Sequence, residues 1–292
     1  MPDPTPARAG AAAARLEAAL ATISDWPVPH AGAVAVDAGG TLARAGDVGT
    51  PRPVASVTKP VVAWATLVAV ADGRLRLDDP AGPTAGQGAT VRHLLAHAAG
   101  LDLDAAGTPI APGRRRRYSN HGYEVVGDLL ARRSGRPLPE VVGATVLGPL
   151  GMEGAELVGS AASGLVASVD DLARFARELL APTLLPRALA HQACSIAFPG
   201  LDGVLPGLGP QRPNDWGLGP ELRGTKDPHW SSSRLSPSTV GHFGRSGATL
   251  WADPTRGVGL VTSSGRDFGD WALTAWPLLD DAVLDALDAV DA

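Results

Sequence analysis

The sequence predicts an α/β (α+β) fold in which helices flank an antiparallel sheet built from the N- and C-terminal segments, with a large helical insertion between them. Short apolar runs bounded by turn residues occur in the first and last parts of the chain, and the long middle stretch has helical periodicity. An antiparallel sheet assembled from both ends satisfies that order. We expect residues 1–55 and 200–292 to form the sheet domain and residues 56–199 a mainly helical domain.

The N-terminal part begins with a helix and continues into a hairpin. Leucine and isoleucine recur on one side of residues 6–24, which predicts a helix there. Residues 32–37 and 41–45 are typical of two short strands, and the Ala38-Gly39-Gly40 sequence between them suits a hairpin turn.

The first of five helices predicted in the middle of the chain is apolar nearly all the way round. It begins at Ser56, a good N-cap residue, has Pro60 in its first turn and ends near Gly73. A helix without a polar face is buried. The other four predicted helices cover residues 90–98, 122–134, 138–146 and 169–180.

The C-terminal part returns to strands and ends in a helix. The predicted strands are residues 216–222, 249–252 and 258–262, and the predicted helix covers residues 276–290. Residues 181–240 are rich in proline and glycine and poorly periodic. Long irregular segments of this kind usually carry function or specificity.

Composition argues against several classes of function. The net charge of −5 and the pI of 5.8 argue against nucleic-acid and anionic-membrane partners. We expect the one basic run, Arg114 to Arg117, to be a solvated loop. The single cysteine, Cys194, permits no intramolecular disulfide and no cysteine metal cluster, and we interpret it as structural. No apolar stretch has the length of a signal-peptide core or a membrane span, so we expect a soluble, cytoplasmic protein.

Ser56 and Lys59 place a hydroxyl and an amine one helical turn apart. Residues at i and i+3 lie on the same face of a helix, so a neutral Lys59 amine could reach the serine and remove its proton. Burial lowers the pKa of a lysine, which makes a neutral amine plausible near pH 7. Because Ser-x-x-Lys also occurs by chance, the pattern alone is a hypothesis.

Two further elements carry candidate site residues. Tyr118 and Asn120 alternate in an extended segment and can face one site, where a tyrosine beside a lysine is a workable proton shuttle. Asn120 would donate to a substrate carbonyl or orient Lys59; alternatively, Ser119 or Asn120 simply caps the following helix. The second element is Gly241-His242-Phe243-Gly244-Arg245, where glycine lets the backbone approach a ligand and an N–H could complete an oxyanion hole with that of Ser56.

These three elements, in this order, resemble the Ser-x-x-Lys, middle polar and Lys-Thr-Gly motifs of serine β-lactamases and penicillin-binding proteins. The Tyr-x-Asn and His-x-Gly forms make the chain similar to class C β-lactamases and the related family VIII carboxylesterases. The resemblance runs from about residue 30 to residue 265. It includes the segments 55–60, 90–97, 118–123, 148–152, 164–168 and 241–254.

The resemblance implies a β-lactamase/transpeptidase-like fold, an active site between the two domains and roles for individual residues. Ser56 would be the nucleophile that forms an acyl-enzyme, and Lys59 and Tyr118 would be the general-base pair. The oxyanion hole would use the backbone N–H groups of Ser56 and Arg245. Water activation through Lys59 and Tyr118 is the consistent choice, because no Glu-x-x-Leu-Asn segment is present. The substrate-binding and oxyanion-hole residues would be Asn120, His242, Gly244 and Arg245.

The third motif departs from the family pattern in a way that bears on the substrate. His242 and Phe243 replace a fixed positive charge and a hydroxyl that would hold a substrate carboxylate, although Arg245 would compensate in part. We therefore expect a serine hydrolase acting on small uncharged esters. The alternatives are β-lactamase or D-amino-acid peptidase (DD-carboxypeptidase) activity, and a non-catalytic binding protein on the same fold. The partner would be a small-molecule ester, amide or lactam.

No metal or other cofactor is expected. His93 and His97 have the i, i+4 spacing of helical metal ligands, but no glutamate lies between them and no third ligand is evident. We interpret both histidines as structural.

Overall fold

The computed structural model describes residues 6–104 and 109–291 and confirms the mixed α/β architecture. Its strands are β1 (Ala31–Asp37), β2 (Thr41–Gly46), β3 (Arg52–Pro53), β4 (Arg116–Arg117), β5 (Glu156–Leu157), β6 (Leu165–Ala167), β7 (Gly203–Leu205), β8 (Gly209–Gln211), β9 (Glu221–Leu222), β10 (Val240–Gly244), β11 (Ala248–Asp253) and β12 (Val258–Ser264). Its α-helices are α1 (Pro6–Ala21), α2 (Thr58–Ala71), α3 (Val91–Leu95), α4 (Asn120–Ser134), α5 (Leu138–Val142), α6 (Val169–Leu180), α7 (Arg187–Ala193) and α8 (Asp270–Asp291).

The main sheet joins the two ends of the chain, as predicted. Its strand order is β2-β1-β12-β11-β10-β9, and every neighbouring pair is antiparallel. β1 pairs along its whole length with β12, from Ala31 opposite Ser264 to Asp37 opposite Val258. The N-terminal hairpin and the C-terminal strands therefore form one sheet.

Helices cover both faces of this sheet. Because successive side chains of a strand point to opposite faces, Val34 and Val36 pack in one apolar cluster with Phe175 of α6. Ala33 and Ala35 pack in the other cluster with Trp276 of α8. α1 and α8 pack against each other on that side, and α1 also packs against β2.

α2 is buried nearly throughout, as its apolar sequence predicts. Residues from Thr58 to Leu67 are all buried, and α2 packs against α4 and α5. Lys59 has no exposed surface. Burial of a lysine side chain destabilises the folded protein unless its amine is hydrogen-bonded or neutral.

Three predicted elements differ from the structure. Residues 216–222 form a turn closed by a hydrogen bond from the Gly217 N–H to the Pro220 carbonyl, so only Glu221–Leu222 joins the sheet. The predicted helix 90–98 ends at Leu95, because His97 adopts a φ of 54°. α8 starts six residues before the predicted position and contains Pro277.

The basic run is not the solvated loop that its composition predicts. Arg114 and Arg115 are exposed, but Arg116 is buried in β4. Its guanidinium donates to the backbone carbonyls of Ala96, Ala197 and Asn214 at 2.5, 2.7 and 2.9 Å. Arg116 therefore connects three separate backbone segments through hydrogen bonds.

No helix in the described ranges is long and apolar enough to cross a membrane. The proposed domain division at residues 55 and 199 remains a prediction.

Candidate active site

Ser56 lies in a 3-10 turn, Ala55–Val57, directly before α2, and is not the N-cap that we predicted. The turn is fixed by Thr58, whose hydroxyl donates to the Ala55 carbonyl at 2.6 Å and accepts from the Leu165 N–H at 2.9 Å. Ala55 has a φ of 47°, in the left-handed region. The Ser56 hydroxyl is therefore not used for capping, and its half-buried side chain faces Lys59.

The Lys59 amine is held by three oxygen atoms. Nζ lies 3.1 Å from Ser56 Oγ, 2.8 Å from Asn120 Oδ1 and 3.0 Å from the Ala162 carbonyl oxygen. Burial lowers the pKa of Lys59 from 10.5 to about 7, while the negative charge of Glu124 acts in the opposite direction. A neutral amine has two N–H groups and one lone pair. When Asn120 and Ala162 accept the two N–H groups, the lone pair is left for the serine hydroxyl.

The Ala162 carbonyl belongs to a turn that no sequence motif singles out. Glu124, on α4, accepts from Ser160 Oγ at 2.5 Å and from the Ala161 N–H at 3.2 Å. Glu124 thereby positions the turn whose carbonyl contacts Lys59. Ala162 follows Lys59 by 103 positions in the sequence, which explains why local spacing could not find this contact.

Tyr118 is enclosed by three other rings. Its ring centroid lies 4.5 Å from that of His97 and 5.8 Å from those of Trp216 and His242. The Lys59 amine lies 4.7 Å from the Tyr118 ring centroid. Burial raises the pKa of Tyr118 well above its usual range, and a hydrogen bond with Ser56 acts against this. The resting side chain is therefore a phenol that can donate a proton.

Trp216 comes from the irregular segment 181–240 and is backed by a buried ion pair. The Lys226 ammonium lies 5.5 Å from the Trp216 ring centroid and 3.0 Å from Glu221 Oε1. Burial acts to raise the pKa of Glu221, but Lys226 and His229 outweigh it and hold that pKa at about 2. The Lys226–Glu221 ion pair therefore supports the Trp216 ring, which packs against Tyr118.

Ser119 and Asn120 divide the two roles that the sequence left open. Ser119 is the N-cap of α4, and its hydroxyl accepts from the Gly122 N–H at 2.9 Å. Asn120 opens the helix and orients Lys59 through its side-chain oxygen. The backbone N–H of Ser119 also donates to His97 Nδ1 at 3.1 Å.

His93 and His97 do not share a helix, although their i, i+4 spacing suggested one. His93 takes part in the capping box of α3 with Thr90, whereas His97 lies beyond the end of α3 against Tyr118. In the ranges 6–104 and 109–291, no group of three or more histidine, cysteine or acidic side chains is placed to hold a metal ion. Burial raises the pKa of the Cys194 thiol to about 12, which does not favour a thiolate nucleophile.

His242 faces Tyr118, whereas Phe243 faces the opposite side of the sheet. His242 Nδ1 lies 2.6 Å from the Phe243 carbonyl oxygen, and Nε2 lies 3.5 Å from the Tyr118 hydroxyl. Burial and the nearby Lys59 lower the pKa of His242 to about 4, so the imidazole is neutral at pH 7. The Phe243 ring packs 4.7 Å from that of Phe268. Phe243 thus lies in the core behind the sheet.

The C-terminal end of β10 contacts the turn that carries Ser56. A Cβ atom on Gly244 would lie 2.1 Å from the Val54 carbonyl oxygen, so only glycine allows this approach. The contact brings the backbone of Arg245 towards Ser56. The Arg245 side chain is 87% exposed and pairs with Asp267 at 3.5 Å, so it points into solvent and does not replace a buried lysine.

The fold and the Ser-Lys-Tyr arrangement define a serine hydrolase. A model of the Beta-lactamase family matches residues 13–284, and the chain belongs to that family. It is similar to a beta-lactamase from Mycobacterium bovis, with 47% identity and a TM-score of 0.90 over 92% of this chain and 99% of that chain.

Two hydrolases are also similar to this chain. Esterase EstB from Burkholderia gladioli is 34% identical over 34% of this chain and 36% of the esterase, so the match spans about a third of that relative. EstCE1, described as a hydrolase with promiscuous acyltransferase activity, has 18% identity and a TM-score of 0.76 over 94% of this chain and 99% of that chain. The likeness to EstCE1 concerns the fold alone.

Proposed function

We propose that this serine hydrolase is an esterase that cleaves small uncharged esters through an acyl-enzyme on Ser56. The observation that carries the proposal is the 3.1 Å contact between Ser56 Oγ and a Lys59 amine whose pKa is lowered to about 7. A hydroxyl beside a base that is neutral at working pH is the arrangement that nucleophilic catalysis needs.

Acylation follows from the protonation states of the two partners. Ser56 Oγ attacks the ester carbonyl carbon while the neutral Lys59 amine takes the hydroxyl proton. The carbonyl oxygen becomes an oxyanion, which the backbone N–H groups of Ser56 and Arg245 would stabilise. The bond to the alcohol oxygen then breaks, and the Tyr118 phenol supplies its proton, which the Lys59 ammonium replaces.

Deacylation reverses these roles. A water molecule attacks the acyl carbon, and Lys59 acts as the base, directly or through Tyr118. The carboxylic acid leaves as the proton returns to Ser56 Oγ, which restores the resting site. Asn120 and the Ala162 carbonyl keep the amine in place through both steps.

The preference for an uncharged substrate rests on His242 and Arg245. A neutral imidazole with a pKa of about 4 supplies no fixed positive charge beside the reacting bond. The Arg245 guanidinium is directed at Asp267. Phe243 adds nothing to this preference, because its ring does not face the site.

β-lactam hydrolysis is the second candidate, and the 47% identity to a beta-lactamase favours it. The same acyl-enzyme chemistry opens a lactam ring, and a D-amino-acid peptide would react in the same way. The two candidates differ in the leaving group and in whether a carboxylate must be recognised.

A substrate comparison with Ser56→Ala as the control tests the proposal. We expect p-nitrophenyl acetate to be turned over faster than a chromogenic cephalosporin, and both activities to be lost in Ser56→Ala. Cephalosporin turnover above ester turnover would favour the lactamase alternative. Ester turnover that survives in Ser56→Ala would contradict the mechanism, and the absence of both turnover and acylation would leave a binding protein.

A further inference from the structure

A cleft of about 840 Å³ opens beside Tyr118. The described residues that line it are Asp102, Leu103, Ile110, Arg115 to Tyr118, Val204 and Pro206. This volume lies in the range of small-molecule sites in proteins.

The cleft is attached to the candidate active site through backbone contacts. The Leu103 carbonyl accepts from the Asn120 N–H at 2.8 Å. Val204, on β7, is the register partner of Arg117, the residue before Tyr118. Leu103 and Val204 therefore lie beside the Tyr118-Ser119-Asn120 segment, and Tyr118 is the residue that the cleft shares with the candidate active site.

The exposed surface of the cleft is unusually apolar. Leu103, Ile110 and Val204 are 47%, 39% and 46% exposed, and they are half of the six exposed large hydrophobic residues in the described ranges. Exposed apolar side chains that converge on one concavity indicate a binding site, whereas scattered ones do not.

Two of the three arginines that line the cleft have other partners. Arg116 is buried and donates to backbone carbonyls of other loops. Arg117 donates to the Gly100 carbonyl and is paired with Asp102. The cleft therefore offers a substrate mainly its apolar walls, with Arg115 as an exposed cation at the rim.

We propose that this cleft binds a linear apolar chain of several carbons on the substrate ester. The inference rests on the proposed esterase function and names the substrate class that this site takes. The chain belongs either to the acyl group or to the alcohol, and two substrate series distinguish these sources. The first is p-nitrophenyl acetate to octanoate, and the second is ethyl to octyl acetate.

We expect kcat/KM to rise up to about fourfold for each methylene that the cleft buries, in one of the two series. Val204→Asp places a carboxylate on the wall of the cleft and should flatten that rise. Val158→Asp is the matched control, because Val158 is a 58% exposed valine that does not line the cleft. It should keep the wild-type chain-length dependence.

Two results would overturn the inference. They are a kcat/KM that is independent of chain length in both series, and a chain-length dependence that Val204→Asp leaves unchanged. Failure of the proposed function is distinguishable, since wild-type protein would then turn over no p-nitrophenyl acetate or would do so without Ser56.

Discussion

The proposed mechanism makes the protonation of Lys59 the control point of acylation. A lysine with the ordinary pKa of 10.5 is neutral in roughly one molecule in 3,000 at pH 7. With a pKa of about 7, half of the molecules carry the neutral base. Burial therefore raises the fraction of neutral Lys59 at pH 7 by roughly three orders of magnitude. The same shift in pKa means that the protein disfavours the ammonium form by about 5 kcal/mol relative to water.

The assay is kcat/KM for p-nitrophenyl acetate between pH 5.5 and 9.5. We expect a tenfold fall per pH unit below the Lys59 pKa and a plateau above it. Glu124→Gln should move the inflection to lower pH, because the Glu124 charge raises the pKa of Lys59. Asp128→Asn, one turn further along α4 and 74% exposed, is the control that removes the same charge. It should leave the inflection in place.

Two results would refute this reasoning. A kcat/KM that still rises tenfold per pH unit up to pH 9.5 would mean that Lys59 titrates as an ordinary lysine. A profile that is flat from pH 5.5 upward would mean that Lys59 is not the base.

Four further changes test other parts of the account. Tyr118→Phe keeps the ring but removes the proton donor, so kcat should fall about 10²- to 10⁴-fold with little change in the melting temperature. Gly244→Ala should lower kcat at least tenfold, because its Cβ meets the Val54 carbonyl oxygen. Arg116→Met leaves several buried carbonyls unpaired and should lower the free energy of unfolding by about 3 kcal/mol or more in urea titrations. Wild type should gain stability relative to Lys59→Met between pH 7 and pH 10, since only the unfolded chain binds the lysine proton there.

Each of these expectations has a contradicting outcome. Full activity in Tyr118→Phe or Gly244→Ala would remove that residue from the proposed machinery. An Arg116→Met protein as stable as wild type would restore the solvated-loop interpretation. If the melting temperatures of wild type and Lys59→Met change equally with pH, the lowered pKa of Lys59 is contradicted.

Local spacing was enough to find the residues that meet at the site. Ser56, just before α2, and Lys59, in its first turn, are three residues apart, and Tyr118 and Asn120 alternate where the chain enters α4, so the sequence pattern indicates their shared direction. The sheet built from both chain ends was also predictable, because strand-like runs have a period of two and clear turn residues between them.

The residues that support the site were not predictable from local pattern. The Ala162 carbonyl, the His97 ring and the Trp216 ring reach Lys59 or Tyr118 from distant parts of the chain, and nothing in their neighbours indicates this. Arg116 was misread for the same reason, because its carbonyl partners lie between 20 and 98 residues away. Tertiary contacts decided these positions.

Trapping of the acyl-enzyme tests the central claim most directly. Wild-type protein mixed with p-nitrophenyl butyrate and quenched in acid within milliseconds to seconds is analysed by intact mass and by peptide mapping. We expect a mass increase of one butyryl group on the peptide that contains Ser56, and no increase in Ser56→Ala. A butyryl group on another residue, or one that forms equally in Ser56→Ala, would contradict the account.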